Sequence, residues 1–358
     1  MSDQSGSPGA ELYLRNLWYC AAPSRAVKRG RMIGKIFMDQ PYLIGRTREG
    51  AAFALRDLCP HRGVRLSEGA FDGEEVACPF HGWRFGVDGR CRRIPSLVDG
   101  QAAALDKISV ERFPVREHQG LIWIYLARRE SAGADGPQEP ASASFEIPEI
   151  GDARPKVVTP LIFETDIDNA VYGLLDPAHT PYVHQSALWR RPTRLREKSK
   201  AYAPSPLGFT MTRHPPSSNS TIYKLLGGAP TTEISFRLPG VRLEHIKIGR
   251  RYVCNLTAMT PMSADRTEVT NVLYWSDGLM DLARPFMAQY ARKFLGQDQH
   301  IVGLQNETKQ FAPKMMLIHD ADVPQKWYQA LKRAWRSCGE CEEQFQTPLK
   351  PAVLRWRT

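Results

Sequence analysis

The sequence has no apolar run near the roughly 18 residues that a membrane-spanning helix requires. This excludes stable membrane insertion by a helix. Its first ten residues are rich in Ser and Gly and lack the charged-then-apolar order of a secretion signal. We read residues 1–10 as a disordered tail and expect a cytoplasmic protein. There is no internal repeat. Cysteine is sparse, with seven in 358 residues at irregular spacings, so an extracellular disulfide framework is excluded. The formal charge of +10 would suit nucleic acid, but no helix-turn-helix, zinc-finger or aromatic stacking pattern accompanies it. Its densest run, Arg190–Lys200, carries six basic residues and one acid and reads as a solvated loop.

What is present divides into two domains joined by a linker. Residues 11–128 contain short strand patterns such as 42–46 and 52–58, with Gly50 marking the turn between them, and a buried strand at 120–126. They predict a small all-β domain. Residues 129–144, RESAGADGPQEPASAS, lack large apolar residues and read as a linker. In residues 145–358, alternating strand patterns at 156–166, 232–238 and 267–275 precede long helical patterns at 282–311 and 325–336. Residues 169–188 read as helical in part. This order predicts an α+β domain with helices covering a mostly antiparallel sheet.

Two short loops carry the clearest chemistry. Cys59-Pro60-His61 and Cys78-Pro79-Phe80-His81 each offer one thiolate and one imidazole, with 16 residues between them. Zinc knuckles more often pair Cys with Cys and His with His. A mixed pair suits a cluster in which one iron takes two cysteines and the other two histidines. Gly63 and Gly82 allow tight backbone paths. The strings CPHRGVRLSEG and CPFHGWRFGVDGRC resemble the Rieske domain of the ring-hydroxylating and O-demethylating oxygenases. That resemblance implies a [2Fe–2S] cluster on Cys59, His61, Cys78 and His81. Cys91 has no partner pattern, and the lone Cys338-Gly-Glu-Cys341 is assigned no role.

A second pattern follows, Asp176-Pro-Ala-His179-Thr-Pro-Tyr-Val-His184. Two histidines and a carboxylate with open positions suit Fe(II) that binds dioxygen. Five residues of regular helix would place His179 and His184 about 140° apart, so one metal requires a distorted turn, which Pro181 could supply. Asp176 could cap a helix starting at Pro177. On the long C-terminal helix, Met287, Ala291, Phe294, Ile301 and Gln305 form one stripe with Asp298 in its middle, and an acid on an apolar face needs a compensating charge. Asp277, Asp281 and Glu307 are weaker candidates for the carboxylate.

The resemblance extends to D-x-x-H-x-x-x-x-H, the mononuclear iron signature of the same oxygenases. It implies His179, His184 and Asp298 as iron ligands. It implies Asp176 as a bridge that carries electrons to the iron from a neighbouring subunit's cluster, hence a homotrimer. It further implies a helix-grip, START-like catalytic domain, and a ferredoxin or NAD(P)H-dependent reductase as donor. Two departures stand out: Gly173 and Gln297 occupy positions where many members carry Asn and an acidic residue, leaving the role of Asn169 open. The expected activity is O2-dependent hydroxylation or oxidative demethylation of an aromatic or polycyclic small molecule, as in the vanillate and dicamba O-demethylase group. A methyl group of a sterol-like or alicyclic substrate is the alternative. A Rieske electron carrier without oxygenase activity is the competing class. Arg62, Arg65, Arg84, Arg92 and Arg93 around the cluster loops could attract an acidic donor.

Overall fold

The computed structural model describes residues 12–101, 104–128, 140, 142–184, 195–215 and 229–358. The tail, most of the linker and part of the basic run at 190–200 lie outside the described residues. The chain forms two compact units, one of residues 15–152 and one of residues 153–358 joined by 12–14. Residues 145–152, read from the sequence as the start of the second domain, belong to the first unit. There Ile147 exchanges hydrogen bonds with the buried Gln119 side chain.

The first unit is all-β. Its strands are β1 (Leu17–Pro23), β2 (Arg31–Phe37), β3 (Gln40–Arg46), β4 (Ala52–Arg56), β5 (Ala70–Phe71), β6 (Glu75–Ala77), β7 (Arg84–Gly86), β8 (Cys91–Arg93), β9 (Arg112–Phe113), β10 (Val115–His118) and β11 (Leu121–Leu126). They form antiparallel sheets in the orders β1-β11-β10, β2-β3-β4-β9 and β5-β6-β7-β8. Leu43, Phe53, Leu55, Leu66, Val76, Phe85 and Val110 build an apolar core that also takes in Cys59, Cys78 and Cys91. Cys91 is therefore a packed thiol.

The second unit is built on one eight-stranded antiparallel sheet. Its strands are β12 (Val157–Phe163), β13 (Glu197–Ser205), β14 (Gly208–His214), β15 (Thr231–Arg237), β16 (Val241–Ile248), β17 (Arg251–Ser263), β18 (Arg266–Trp275) and β19 (Ala352–Arg357). Their order is β12-β18-β17-β16-β15-β14-β13-β19. The helices are α1 (Ile167–Leu175), α2 (Thr180–Val183), α3 (Arg284–Thr308) and α4 (Val323–Ser337). The α+β architecture expected from the sequence is the one observed.

The helices lie on one face of this sheet. Ala291 of α3 packs with Val157, Leu273 and Trp275. Trp327 and Tyr328 of α4 meet Tyr202, Phe209 and Phe236 ring to ring. Asp166 caps α1, accepting from the Asn169 backbone N–H at 2.9 Å and, through its other oxygen, from Lys309 Nζ at 2.7 Å. The buried Lys332 of α4 pairs with Asp168, which also accepts from the Tyr328 hydroxyl at 2.8 Å. Gly173 lets α1 approach α3, since a Cβ there would meet Val302 Cγ2 at 3.0 Å. Among the described residues no helix is long and apolar enough to cross a membrane.

Candidate metal centres

The two cysteine loops of the first unit are built alike. In one, the Cys59 N–H donates to Val64 O and the Gly63 N–H returns to Cys59 O, both at 2.8 Å. In the other, the Cys78 N–H donates to Trp83 O at 2.8 Å and the Gly82 N–H to Cys78 O at 3.0 Å. Each loop closes on a glycine with positive φ, 71° at Gly63 and 68° at Gly82, a conformation that favours residues without Cβ. The loops hang from β4 and between β6 and β7. The fully buried Asp57 fixes the exit of the first, accepting from the Ser67 N–H and hydroxyl at 2.6 Å each.

This framework buries both thiols and leaves the histidines toward the surface. Cys59 and Cys78 sit in the apolar core, while His61 is exposed and His81 partly so. The imidazoles lie 4.7 Å apart, centroid to centroid. Trp83 stacks on His61 at 4.7 Å, and Phe80 lies 3.9 Å from His81. Burial, with the Cys78 thiol alongside, pushes Cys59 up to about 11, so this thiol ionises only beside strong positive charge. Desolvation, then His81 and Arg62, holds His61 below the ordinary histidine value, which keeps it neutral and able to ligate. His81 Nδ1 is buried with no hydrogen-bond partner among the described residues. An orphaned imidazole nitrogen and paired buried thiols fit a group that ligates both.

The arginines around these loops are more engaged than their number implies. Arg84 pairs with Asp72 and Glu75, Arg92 with Asp88, and Arg65 approaches Asp57. Arg62 and Arg93 have no acidic partner among the described residues. The Arg62 guanidinium lies 5.8 Å from the exposed Phe80 ring.

The second constellation lies within the second unit. Helix α1 stops at Asp176 because Pro177 follows, and the residue before proline is driven out of the helical region (here φ −68°, ψ 116°). The Asp176 carboxylate then accepts from the Ala178 N–H at 2.7 Å. Asp176 is thus the C-cap of α1 and not the N-cap of the next helix. That helix, α2, is a single turn preceded by His179 and followed by His184, whose ψ of 70° is not helical. The irregular turn brings both imidazoles to one point. Their Nε2 atoms lie 3.2 Å apart, and Asp298 Oδ1 is 3.5 Å from one and 3.2 Å from the other.

The protonation pattern follows from the outer nitrogens. His179 Nδ1 lies 2.7 Å from the Asp176 carbonyl oxygen and His184 Nδ1 lies 3.2 Å from Gln297 Oε1. Both partners are acceptors, so the protons sit on Nδ1. The inner Nε2 atoms are then bare lone pairs facing each other and a carboxylate. Three acceptors within 4.8 Å with no donor between them need a cation. With no cation, protons compete for the place. His179 is raised: burial would lower it, but the charges and hydrogen bonds of Asp298 and Asp176 outweigh that. Asp298 is lowered: burial opposes, but the two imidazoles prevail.

Asp298 is buried on α3, but the face it shares is Ala291, Leu295 and Val302. Ile301 is 45% exposed and Gln305 is exposed, so the stripe read from the sequence is rotated in its second half. Phe294 lies flat on His184 with centroids 3.5 Å apart. The other carboxylates are occupied elsewhere: Asp277 pairs with Arg251, and Asp281 with Lys156 and the Trp275 indole. Glu307 is exposed. Asn169 is buried and donates through Nδ2 to Asp166 at 3.0 Å, so it serves the α1 cap and not Asp176. Sequence reasoning missed the orienting role of Gln297, although its place next to Asp298 was the available signal.

Residues 17–114 match the family model of the Rieske [2Fe-2S] domain. The chain is 30% identical over 187 residues to chlorophyllide a oxygenase, chloroplastic, of Arabidopsis thaliana, covering 51% of this chain and 32% of that protein. It is 31% identical over 183 residues to the oxygenase component of dicamba O-demethylase of Stenotrophomonas maltophilia, covering 49% and 48%. The chain thus spans half or less of the length of these curated relatives. Its fold is that of dicamba monooxygenase bound to dicamba, with a TM-score of 0.70 at 21% identity, over 91% of this chain and 99% of that one.

Proposed function

We propose that this chain, with its Rieske [2Fe–2S] domain, is the terminal oxygenase component of a Rieske non-haem iron monooxygenase. It would hydroxylate or oxidatively demethylate an aromatic or polycyclic small molecule. Cys59 and Cys78 would hold one iron of the cluster, and His61 and His81 the other. His179, His184 and Asp298 would hold a mononuclear Fe(II). When bound, the cluster supplies single electrons and the mononuclear iron a site where dioxygen is used to oxidise the substrate.

The observation that carries the reading is the convergence of His179 Nε2, His184 Nε2 and Asp298 Oδ1 in a chain that also has a Rieske domain. A plain electron carrier has no use for a second cation site. The protein's own residues have definable tasks there. Asp176 O and Gln297 Oε1 fix the imidazole tautomers so that both Nε2 lone pairs point inward. The Phe294 ring covers one face of His184 and keeps water from it. His61 and His81 keep a route for electrons at the surface of the first unit.

Electrons would come from a ferredoxin or an NAD(P)H-dependent reductase, and the working unit would be a homotrimer in the cytoplasm. Asp176 would bridge to a neighbouring subunit's cluster. One of its oxygens accepts from Ala178, and the other has no partner among the described residues. Arg62 and Arg93 remain to meet an acidic donor.

Iron quantitation of the purified chain, with oxygen uptake across a substrate panel and a surrogate reductase, tests the reading. Three irons per chain and substrate-dependent uptake are expected. Two irons and no uptake would leave the electron carrier.

A further inference from the structure

The helix-covered face of the eight-stranded sheet is not uniformly apolar. Directly opposed residues of antiparallel strands share a face. Phe236 contacts Tyr328 of α4, and Leu273 and Trp275 pack with Ala291 of α3, so their rows face the helices. One row runs Thr159, Asn271, Thr257, Arg242, Phe236. The next runs Val157, Leu273, Asn255, Glu244, Ile234. Apolar seams therefore lie under α3 and under α4, and between them sits a polar patch on β16–β18.

Polar side chains under a helical layer are costly unless their hydrogen bonds are met. Here they are met in part. Asn271, 8% exposed, donates through Nδ2 to Asn255 Oδ1 at 2.6 Å and to Thr257 Oγ1 at 3.0 Å. Among the described residues, Asn271 Oδ1, the Asn255 amide nitrogen and the Thr257 hydroxyl proton have no partner. Exchanging the oxygen and nitrogen of either amide still leaves one donor and one acceptor over. The charges beside them offset each other, with Arg242 Nη1 3.9 Å from Glu244 Oε2.

The patch lies close to the histidine–aspartate site along the sheet. Val157 packs with Ala291, and Ile162 O accepts from Gln299 Nε2 at 2.7 Å, so α3 runs along β12. Thr159 and its partner Asn271 fall between these two contacts, about one helical turn before Asp298.

We propose that Asn271, Asn255 and Thr257 form the recognition site for a neutral hydrogen-bonding group, a hydroxyl or carboxamide, on a ring substrate. The ring lies against the apolar seams, with the neutral group on the polar patch. A carboxylate is disfavoured because, among the described residues, the cation beside the patch, Arg242, already faces Glu244. This deepens the oxygenase reading and rests on it for the identity of the bound molecule as substrate.

The test is ligand-observed NMR on the purified holoprotein with methoxybenzenes and methoxynaphthalenes. Each ring is supplied unsubstituted and as hydroxyl, carboxamide and carboxylate. Hydroxyl or carboxamide members are expected to bind at least tenfold tighter than the parent rings and the carboxylates. Asn271→Leu is expected to erase that preference, and so is Asn255→Ala at the more accessible and more tolerant position, with iron content unchanged in both. A purely structural network would lower stability in the variants and leave the preference intact, which would overturn the proposal. So would wild type that binds none of the polar members, or that prefers carboxylates. Failure of the oxygenase reading shows separately, as two irons and no oxygen uptake.

Discussion

The Nε2 atoms of His179 and His184 face each other at 3.2 Å, and each has its proton drawn to the far side of the ring by a fixed acceptor. With both protons on the far side, the two inner lone pairs repel each other unless a cation lies between them. The adjacent Asp298 carboxylate completes the set.

Asp298→Ala should reduce iron from three to two per chain while leaving the cluster's visible absorption unchanged. Iron assay and absorption spectra check both halves. Loss of cluster absorption in this variant would mean that the two centres are not separate.

Gln297 sits where an acidic residue is common in the resembling oxygenases, so His184 has a neutral orienting partner. Gln297→Leu should weaken Fe(II) binding about 10- to 100-fold, the usual effect of losing an outer hydrogen bond to a ligating histidine. Gln297→Glu should hold iron at least as well as wild type. Competition with a chromogenic chelator measures both.

Asp176→Asn keeps a carbonyl oxygen for the Ala178 N–H and removes the charge. It should retain all three irons and lose most turnover if the carboxylate bridges centres. Full activity in Asp176→Asn and Asp176→Ala together would remove the bridging role.

Protons compete with metal at this site in a defined direction. His179 is raised above 6.5, so its protonated form gives the metal-free protein stability that is complete below 6.5 and lost as pH rises through the raised value. Asp298 is lowered below 3.8, so its stabilising charge is present above 3.8 and lost as pH falls through the lowered value. Metal-free protein should therefore be most stable between those limits. Fe(II) affinity should fall as pH drops through the raised His179 value, since binding must displace that proton. Thermal melts of the metal-free form and Fe(II) titrations from acid to neutral pH test the two statements.

The Lys332–Asp168 pair fastens α4 to α1, the helix that leads into the histidine turn. Asp168→Ala strands a buried ammonium and should cost about 3 kcal/mol. Lys332→Met should cost less, because Asp168 is partly exposed and Met fills the space. Denaturant titrations should rank them in that order.

The parts legible from residue order alone are those whose chemistry is local. Cys59, His61, Cys78 and His81 lie within two loops of a few residues, and glycines at equal distances from the cysteines dictate how each loop closes. Alternation of apolar residues likewise specified strands, and the long periodic segments specified α3 and α4, because side-chain burial on one face is written into consecutive positions. The tertiary structure decided what depends on distant positions meeting. The direction of α3's buried face was misread beyond Asp298 because Ile301 and Val302 are both apolar, and only packing against α1 and the sheet chooses between them. Gln297 beside His184 and Lys309 beside Asp166 are hydrogen bonds whose partners no periodicity names. The polar patch of Asn255, Thr257 and Asn271 exists only through strand register, where a one-residue slip would turn each side chain to the opposite face.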